Sequence, residues 1–475
     1  MRRPRSPISW SGSGVPMDEF VRPDLSAPTS VHIIGIGGSG MAAIAHVLHA
    51  MGHQVSGSDL AASAAFERLV GEGVAAVLGH DAAYLGDAAV IVRSTAIPDT
   101  NPEVVEALKR GQRVHHRAEV LSAISDLKRT VAVAGTHGKT TTSSMLAVIA
   151  IEADIEPSFI IGGDVTQLGT GAAWGSGEWF IVEADESDGT FVTLGHEIGV
   201  VTNVEPDHLE HYGGEEGLRK AFVDFAAMGD TTVICADDEG ARQLSQPGTT
   251  VTYGMELGDY EISNHERSGT HSFEISFRGD SLGRIELGMT GRHNVRNATA
   301  AAVTALQMGI PFEAIQRGLG GFGGVGRRLE RRGTHDGILF IDDYAHLPSE
   351  VAAAIDGASD VGHDRLVVVF QPHRYSRTEA VWQDFTDRFD GADLLVITDV
   401  YASGEPAREG VTGQLIVDAV QRGASPPEIL YHADRTTLAD RLADLLDRGD
   451  VCLTLGAGDS VKLPDETLER LRSMA

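Results

Sequence analysis

The residues best suited to chemistry lie at 135–142, which read GTHGKTTT and follow the predicted strand 130–134. Gly-Lys-Thr at the start of a helix is typical of a phosphate-binding loop, in which backbone amides and Lys139 hold phosphates and the Thr140 hydroxyl ligates Mg2+. The full GxxxxGK[ST] spacing needs a glycine where this chain has Val133. The loop is therefore a variant, which disfavours an ordinary P-loop kinase. Threonines are weak helix formers, so a purely structural reason for this run is disfavoured as well.

Two polar segments follow other predicted strands and could bind a metal ion or phosphate. Residues 183–188 read EADESD, and carboxylates beside a phosphate loop suit Mg2+, with a solvated acidic loop as the alternative. Residues 203–208 read NVEPDH, in which His208 could bind a second metal ion or contact the transferring phosphate. A lone histidine is more often structural. Three such segments at strand ends nevertheless strengthen the functional interpretation of each.

A second glycine-rich loop, GIGGSG at 35–40, follows the first predicted strand and precedes a predicted helix over 41–51. Its glycines let the backbone approach a diphosphate, and the helix N-terminus favours the negative charge. Asp59 ends the next predicted strand, about where a ribose-binding acid would stand. Taken alone, this pattern suggests NAD, and a tight turn without a ligand is the alternative.

Three motifs in the C-terminal part carry further polar groups. Asn294 and Asn297 lie three residues apart at the start of a predicted helix, so they share a face, and an asparagine amide can pair with adenine; helix capping is the alternative for Asn294. Residues 342–348, DDYAHLP, and 370–378, FQPHRYSRT, each follow a predicted strand. In the latter, Arg374 and Arg377 are placed to clamp a carboxylate. Turns or surface ion pairs would explain each motif separately.

The elements that must position these residues alternate along the chain, which predicts an α/β fold with parallel sheets and ligands beyond the carboxyl ends of the strands. Boundaries are expected near 122–129 and 318–333, and 246–284 is expected to form a small antiparallel part. Ten apolar, β-branched runs predict strands at 31–36, 90–93, 130–134, 180–183, 199–204, 231–235, 338–341, 366–370, 394–398 and 451–455.

Composition limits the classes of partner. The 475 residues include 38 basic and 68 acidic ones, so the net charge is -30, which disfavours binding to nucleic acid or anionic lipid. No run of 18 apolar residues exists, and the arginines near the N-terminus precede no apolar stretch, so neither membrane insertion nor secretion is expected. Cys235 and Cys452 lie in β-branched runs as expected for buried thiols, which fits a reducing compartment. We expect a cytoplasmic protein.

Eight motifs together resemble the Mur ligases, in the order of that family from about residue 31 to 460: HIIGIGGSGM, GTHGKTTT, EADESD, TNVEPDHLEHY, GRHNVRNA, DDYAHLP, FQPHRYSRT and DVYASGE. The resemblance implies three domains after a flexible N-terminal tail at 1–28. These are a Rossmann-like UDP-sugar domain at 29–126, a central P-loop ATPase-type domain at 127–328 with the antiparallel part, and a Rossmann-like C-terminal domain at 329–475. It also implies that the first glycine loop holds a UDP-sugar diphosphate rather than NAD.

The implied reaction joins L-alanine to the lactyl carboxylate of UDP-N-acetylmuramate through an acyl phosphate, with ATP as co-substrate and Mg2+ or Mn2+ as cofactor, in a monomer or homodimer. The resemblance assigns to the UDP-sugar Gly37, Gly38, Ser39, Gly40, Asp59, Ser94, Thr95, Ala96 and Arg117. It assigns to ATP Gly135, Thr136, His137, Gly138, Lys139, Thr140, Thr141, Asn294, Asn297, Arg328 and Asp343. It assigns to the metal Thr140, Glu183 and His208, and to catalysis Lys139, His208, His346, Arg374 and Arg377.

The chain departs from the family pattern at Leu347, where a second histidine is usual, and Lys220 is not expected to serve as a carbamylated metal ligand. Within the family, the alternative is the recycling ligase that adds a tripeptide to the same UDP-sugar. Its glycine loop typically reads Cys-Gly-Thr where this chain has Gly-Gly-Ser, which favours the ligase that adds L-alanine over the one that adds a tripeptide. An NAD-dependent oxidoreductase would leave residues 135–142 unexplained. A catalytically inactive nucleotide-binding regulator would be expected to carry a different residue at position 139, 183 or 208, but Lys139, Glu183 and His208 are all present.

Overall fold

The computed structural model describes residues 20–245, 249–267 and 270–474, which form three β-sheets flanked by helices. Contacts divide the chain into two units. The first holds a five-stranded sheet and most of a ten-stranded sheet, and the second holds a six-stranded sheet together with residues 264–273 and 284–295. The predicted α/β class with parallel sheets is confirmed. None of the described helices is long and apolar enough to span a bilayer.

The first sheet is entirely parallel, and its order places the first strand at its centre. Its strands are β1 (Ser30–Ile34), β2 (Gln54–Asp59), β3 (Ala75–Leu78), β4 (Val90–Arg93) and β5 (Val114–His116), and its helices are α1 (Ser39–Ala50), α2 (Ala64–Gly71), α3 (Pro102–Lys109) and α4 (Arg117–Ser125). The order β3-β2-β1-β4-β5 reverses direction beside β1, so the crevice for a ligand opens where β1 and β4 end.

Residues 20–28, which the sequence places in the N-terminal tail, are anchored against α4. The amide of Val21 donates to Glu119 at 2.7 Å and the Arg22 guanidinium donates to Ser122 at 2.7 Å, while Leu25 is buried in the apolar core. The rest of the predicted tail, residues 1–19, lies outside the described residues.

The second sheet has a parallel centre extended on both sides. Its strands are β6 (Arg129–Ala134), β7 (Ser158–Val165), β8 (Thr170–Ala173), β9 (Trp179–Glu183), β10 (Ile198–Val201), β11 (Thr231–Cys235), β12 (Thr250–Gly254), β13 (Tyr260–Arg267), β14 (His271–Phe277) and β15 (Asp280–Leu287). Its helices are α5 (Lys139–Glu152), α6 (Leu209–Tyr212), α7 (Glu215–Met228), α8 (Glu239–Arg242), α9 (Arg292–Gln307) and α10 (Phe312–Gly320). The order β15-β14-β13-β12-β11-β10-β6-β9-β7-β8 puts β6 between β10 and β9, so three predicted polar segments emerge side by side.

The segment 246–284, expected to be antiparallel, is so only in part, because β12 and β13 pair in parallel whereas the last two strands are antiparallel. Strands β14 and β15 are neighbours joined by two residues, Arg278 and Gly279, and a connection this short permits only antiparallel pairing. Both linking residues have a positive φ, which suits a tight hairpin turn.

The third sheet is parallel except for its first strand. Its strands are β16 (Glu330–His335), β17 (Ile338–Asp343), β18 (Arg365–Phe370), β19 (Leu394–Ile397), β20 (Glu428–Tyr431) and β21 (Asp450–Leu455), in the order β16-β17-β21-β18-β19-β20. Its helices are α11 (Pro348–Ser359), α12 (Tyr375–Val381), α13 (Gln414–Val420), α14 (Leu438–Leu445) and α15 (Leu463–Met474). Apolar clusters cover both faces of the sheet, which explains why its inner strands are continuous apolar runs.

All ten predicted strands occur in the structure, and both cysteines are buried free thiols as expected. The predicted end of one strand is wrong, and contacts of the residues that follow it explain why. The strand expected over 199–204 ends at Val201, because the polar groups of the next residues bind the neighbouring loop instead of a strand.

Candidate active site

The loop after β6 has the geometry of a phosphate-binding loop. Gly135 and Gly138 have φ of +131° and +81°, values that side chains other than glycine rarely adopt. Helix α5 begins at Lys139 directly after Gly138. The amides of the first helical turn have no intrahelical acceptor, so they are available to an anion at this end of the helix.

The polar start of α5 is stabilised by bonds within the helix itself. The Ser143 hydroxyl donates to the Lys139 carbonyl at 2.8 Å, and the Ser144 hydroxyl donates to the Thr140 carbonyl at 2.7 Å. These bonds satisfy hydroxyl groups that the surrounding core would otherwise leave without partners. The run that looks unfavourable by helix propensity can therefore be buried.

Lys139 is held in a defined position by the loop and by a carboxylate. Its ammonium group donates to the carbonyls of Gly135 at 2.8 Å and Thr136 at 3.2 Å, and it lies 2.8 Å from Oε2 of Glu186. Burial opposes its charge, but Glu186, Asp185 and Glu183 raise the pKa of Lys139, so it is positively charged at neutral pH. Burial raises the pKa of Glu186 to about 7, against the opposing effect of Lys139.

Thr140 and Glu183 form the predicted oxygen pair at the ends of α5 and β9. The Thr140 hydroxyl donates to Oε1 of Glu183 at 3.1 Å, and the amide of Gly162 donates to Oε2 at 2.8 Å. Hydroxyl and carboxylate oxygens are the donors that Mg2+ prefers. Within the part of the chain that the structure describes, no three His, Cys, Asp or Glu side chains are grouped to hold a metal ion. A cation here would therefore depend on nucleotide phosphates and water, as Mg2+ commonly does.

The segment after β10 supports the phosphate loop rather than extending the strand. The Asn203 carboxamide accepts from the His137 amide at 2.8 Å and donates to its carbonyl at 2.9 Å, and the Thr202 hydroxyl donates to the same carbonyl at 2.6 Å. The Thr136 hydroxyl accepts from the Glu205 amide at 2.9 Å. In this motif the sequence points to His208, whereas these contacts give the residues before it a positioning role.

His208 lies at the start of α6 in a left-handed conformation, with φ of 52°. Its Nε2 atom is 3.3 Å from Oδ2 of Asp207. The described contacts bring Thr140 and Glu183 together but do not join His208 to either. Tyr212, at the other end of α6, donates its hydroxyl to the carbonyl of Glu186, which ties this helix to the acidic segment.

The two asparagines of the predicted adenine site fall in different units. Asn297 lies in the first unit, and its carboxamide is so close to Gly138 that a Cβ atom there would collide with Oδ1 of Asn297. Asn294 lies in the second unit, where its amide donates to the Thr290 carbonyl at 2.7 Å. Both side chains are buried.

The glycine-rich loop after β1 is held by the end of β2. The carbonyl of Ser58 accepts from the amides of Gly35 at 2.8 Å and Ile36 at 3.1 Å, and Asp59 accepts from the Gly37 amide at 2.8 Å. Asp59 thus fixes the loop directly. The three residues that open α1, predicted to face a diphosphate, are exposed at the edge of the sheet: Gly38, Ser39 and Gly40.

The other residues assigned to the UDP-sugar lie at the same edge. Ser94 follows β4, and its Cβ is 3.1 Å from where a Cβ on Gly35 would stand. Thr95 and Ala96 continue this turn and are exposed. Arg117 forms an ion pair with Asp188 at 2.9 Å, and its Nη1 lies 3.3 Å from where a Cβ on Gly40 would stand. The edge therefore combines open helix-start amides with a cation, which suits a diphosphate.

In the second unit, Asp343 ends β17 and is buried. It accepts from the amides of Leu329 and Ala345, each at 2.8 Å. Burial raises the pKa of Asp343 to about 6, although Arg328 and these amides oppose the shift. The Arg328 guanidinium lies over the ring of Tyr344 at 5.2 Å, which keeps it beside this strand end.

A cluster of rings connects His346 with the arginines of the second unit. His346 meets His373 edge-on at 5.8 Å between ring centres, and His373 stacks on Tyr401 at 5.7 Å. Arg377 lies 3.1 Å from Nδ1 of His373, and Arg374 has a strained φ of 67°. Burial, with the nearby His346, Arg377 and Arg374, lowers the pKa of His373 to about 3, so this imidazole is neutral at pH 7.

Sequence reasoning did not single out four residues that these sites use. Glu186 is inside the acidic run and His373 inside the motif at 370–378, so both were visible as polar groups at strand ends. Their partners depend on distant parts of the chain. The same is true of the remaining two, Asn203 and Tyr401.

Three sheets with polar loops at their carboxyl edges, one of them a phosphate loop, define a modular nucleotide-binding α/β enzyme. The chain belongs to the Mur ligase family. Residues 30–129 match the model of the Mur ligase family, catalytic domain, residues 133–305 that of the Mur ligase middle domain, and residues 327–458 that of the Mur ligase, glutamate ligase domain. The family predicted from the motifs is thereby confirmed.

Relatives of known name extend this likeness over nearly the whole chain. The UDP-N-acetylmuramate–L-alanine ligase of Geobacter sp. (strain M21) is 42% identical over 452 residues, covering 93% of this chain and 98% of the relative. The ligase of the same name from Solidesulfovibrio magneticus is 44% identical over 449 residues, with the same coverage. Among solved structures, the UDP-N-acetylmuramate-alanine ligase of Thermotoga maritima matches with a TM-score of 0.78 and 28% identity, over 94% of this chain and 100% of that one. A murein peptide ligase from Psychrobacter arcticus shares the fold, with a TM-score of 0.69 and 24% identity over 93% and 98% of the two chains.

Proposed function

We propose that this protein uses ATP to join L-alanine to the lactyl carboxylate of UDP-N-acetylmuramate, releasing ADP and phosphate, as a step in making peptidoglycan precursors. The observation that carries the proposal is the identity of 42% and 44%, over 93% of the chain, to two ligases that bear this substrate pair in their names. The phosphate loop with Lys139, Thr140 and Glu183 supplies the chemistry that such a reaction needs.

An amide bond cannot form directly from a carboxylate, because its oxygen is a poor leaving group. Transfer of the γ-phosphoryl group of ATP to the carboxylate gives an acyl phosphate and ADP. The alanine amine then attacks the acyl carbon, and phosphate departs from the tetrahedral intermediate. Catalysis of such a transfer rests on positioning and on stabilising the charge of the phosphoryl oxygens.

The first unit would handle the phosphates. The ammonium of Lys139 and the amides of Gly138 and the first turn of α5 would supply positive charge to the γ-phosphoryl group. Bound with ATP, Mg2+ or Mn2+ would be held by Thr140 and Glu183, with His208 near a second ion, and would neutralise charge on phosphate oxygens. Asn297, packed against Gly138, would keep the loop closed around the nucleotide. The remaining loop residues of the nucleotide site are Gly135, Thr136, His137 and Thr141.

The second unit carries the other residues that we propose for ligand binding. Arg374 and Arg377 are suited to carboxylate or phosphate groups. His346 contacts the ring of His373, which in turn contacts Arg377. Asp343 and Arg328 are proposed for the ribose and phosphates of ATP. Asn294 is proposed for adenine.

The first sheet would bind the UDP portion of the substrate at the amides that open α1. Asp59 fixes this loop, and Arg117 supplies the nearby cation. The turn Ser94, Thr95 and Ala96 would form the opposite side of the crevice. We further propose that the protein acts in the cytoplasm as a monomer or homodimer, with domain boundaries near residues 29, 127 and 329.

Phosphate release measured with ATP, Mg2+ and UDP-N-acetylmuramate, with and without L-alanine, tests the proposal. We expect release that depends on alanine, with a UDP-muramoyl-alanine product confirmed by mass spectrometry. Lys139→Ala should abolish release, whereas Lys220→Ala, which removes an exposed lysine paired with Asp224 in the same unit, should keep activity within about twofold. Release that appears only with the tripeptide in place of alanine would show a recycling ligase. No release with either acceptor would overturn the ligase reaction.

A further inference from the structure

A buried carboxylate lies in the first sheet domain without a role in the reaction described above. Glu103, the second residue of α3, is fully buried, and so is its neighbour His32 at 1% exposure. Charged groups are seldom buried unless several partners compensate the loss of water. The contacts of Glu103 therefore point to a requirement beyond simple packing.

Partners from three other segments converge on Glu103. Nε2 of His32, in β1, lies 2.6 Å from one carboxylate oxygen, and Nδ1 of His80, after β3, lies 2.8 Å from the other. The hydroxyl of Ser58, in β2, donates to both oxygens, at 2.7 and 3.0 Å. One carboxylate thus connects α3 with three neighbouring strands.

The surrounding groups fix the role of each partner. Nδ1 of His32 lies 2.9 Å from the hydroxyl of Ser56, which can donate or accept, so a proton on Nε2 of His32 is compatible with both contacts. His80 and Ser58 donate to the carboxylate in the same way. Burial alone would raise the pKa of Glu103, but the hydrogen bonds from His32, Ser58 and His80 hold it below its ordinary value. The cluster therefore contains one ionised carboxylate surrounded by donors.

The same residues hold the glycine-rich loop. Ser58 presents its hydroxyl to Glu103 and its carbonyl to the amides of Gly35 and Ile36. The next residue, Asp59, accepts from the Gly37 amide, and its carbonyl accepts from the amide of Gly79, the neighbour of His80, at 2.8 Å. A shift at Glu103 would thus reach the loop through the end of β2 and through the turn after β3.

We propose that Glu103, with His32, Ser58 and His80, is a positioning residue that fixes the carboxyl ends of β1, β2 and β3 in the geometry required to bind the UDP portion of the substrate. This inference rests on the proposed function, because it assigns UDP to the loop that these strand ends carry. Glu103 has no contact with solvent and acts through Ser58 and the loop.

The test compares binding of UDP and of a non-hydrolysable ATP analogue by calorimetry, at a temperature well below the melting temperature of every variant. Glu103→Leu removes the acceptor, and Ser58→Ala removes only the hydroxyl that joins the acceptor to β2. We expect UDP affinity to fall about tenfold in the first and at least threefold in the second, with affinity for the ATP analogue within twofold. The KM for UDP-N-acetylmuramate should rise by more than kcat falls.

Two matched controls separate positioning from general stability. Glu72→Leu removes the partner of His46 in a pair with the same residue types, at 2.7 Å, on the surface of the same domain. Leu85→Ala truncates a buried side chain in the small apolar cluster that contains Val104 of α3, so it lowers stability without touching the network. Both should keep UDP affinity within twofold of the unsubstituted protein.

The outcomes are distinct. UDP affinity within threefold of normal in Glu103→Leu, or an equal loss in Leu85→Ala, overturns this inference alone. If Glu103→Leu does not fold, Ser58→Ala decides the question, and UDP affinity within threefold of normal in that variant overturns the inference. Absence of UDP binding by the unsubstituted protein overturns the proposed function and this inference with it.

Discussion

Nζ of Lys139 lies 2.8 Å from Oε2 of Glu186, and the two side chains are only 13% and 3% exposed. The lysine that the proposed reaction needs for phosphate is thus already paired with a carboxylate in the protein alone. Incoming phosphate would compete with Glu186 for the ammonium group. A buried pair of this kind makes the loss of one partner costly, because the other charge stays buried.

Lys139→Ala is expected to destabilise the protein, and Glu186→Gln in the same chain to restore most of the loss. Removing one partner of a buried pair typically costs about 3–5 kcal/mol. Without Lys139 the pKa of Glu186 rises further above about 7. The carboxyl of Glu186 therefore takes up a proton as the pH falls, and the loss in free energy of unfolding caused by Lys139→Ala becomes smaller. Denaturant unfolding at pH 6 and pH 8.5 should show the larger deficit at pH 8.5. Equal deficits at both values, or no recovery in the double variant, would contradict this account.

Gly138→Ala is expected to slow the reaction, because the new side chain would displace the loop against Asn297. Gly138 and Gly309 have nearly equal φ, +81° and +84°, so alanine at either site carries a similar backbone strain of about 1–2 kcal/mol. Only at Gly138 would the new Cβ meet the Asn297 carboxamide, whereas Gly309 faces open space. Displacement of the loop by about an ångström should lower kcat about 100-fold. Stopped-time phosphate release on both variants checks this, and similar activities in the two would count against a role for Asn297.

The strands and the phosphate loop could be predicted because they depend on neighbours in sequence. Apolar β-branched runs and the order Gly-Lys-Thr are local signals, and the observed β6 and α5 follow them closely. The end of β10 was predicted three residues too far. Thr202 favours a strand by type. The polar groups of Thr202 and Asn203 nevertheless bind the carbonyl of His137, which lies 65 and 66 residues away along the chain.

Long-range pairing explains which contacts could not be predicted. Asp59 accepts from the amide of Gly37, and this contact is hidden in the sequence because the loop and the end of β2 meet only when the sheet forms. The stack of His373 on Tyr401 is invisible in sequence for the same reason. The roles assigned to Arg328, Arg374 and Arg377 stay predictions.

Glu183→Gln is expected to weaken binding of the metal ion without affecting UDP. The substitution removes a charged oxygen donor held by Thr140 and Gly162, so the Mg2+ concentration for half-maximal activity should rise about tenfold. Binding of Mn2+ together with an ATP analogue, followed by electron paramagnetic resonance, gives a reading independent of turnover. Glu178→Gln, at the exposed opposite end of β9, is the matched control and should change neither value. Unchanged Mn2+ binding in Glu183→Gln would remove Glu183 from the metal site.

His373 is expected to make the protein less stable in acid. Because burial and the nearby cations lower its pKa to about 3, while the ordinary value is 6.5, the unfolded chain binds one proton more than the folded chain between these two values. Stability contributed by the neutral imidazole is therefore complete above about pH 6.5 and falls as the pH drops towards 3. Calorimetry from pH 7 to pH 4.5 should show a steeper decline in melting temperature for the unsubstituted protein than for His373→Gln.

Asp343→Asn provides a control of opposite sign. Because the pKa of Asp343 is raised to about 6, the contribution of Asp343 to stability declines as the pH rises from 3.8 to 6. Parallel melting curves for the unsubstituted protein and His373→Gln would show that this imidazole titrates normally and that the ring cluster does not exclude its charged form.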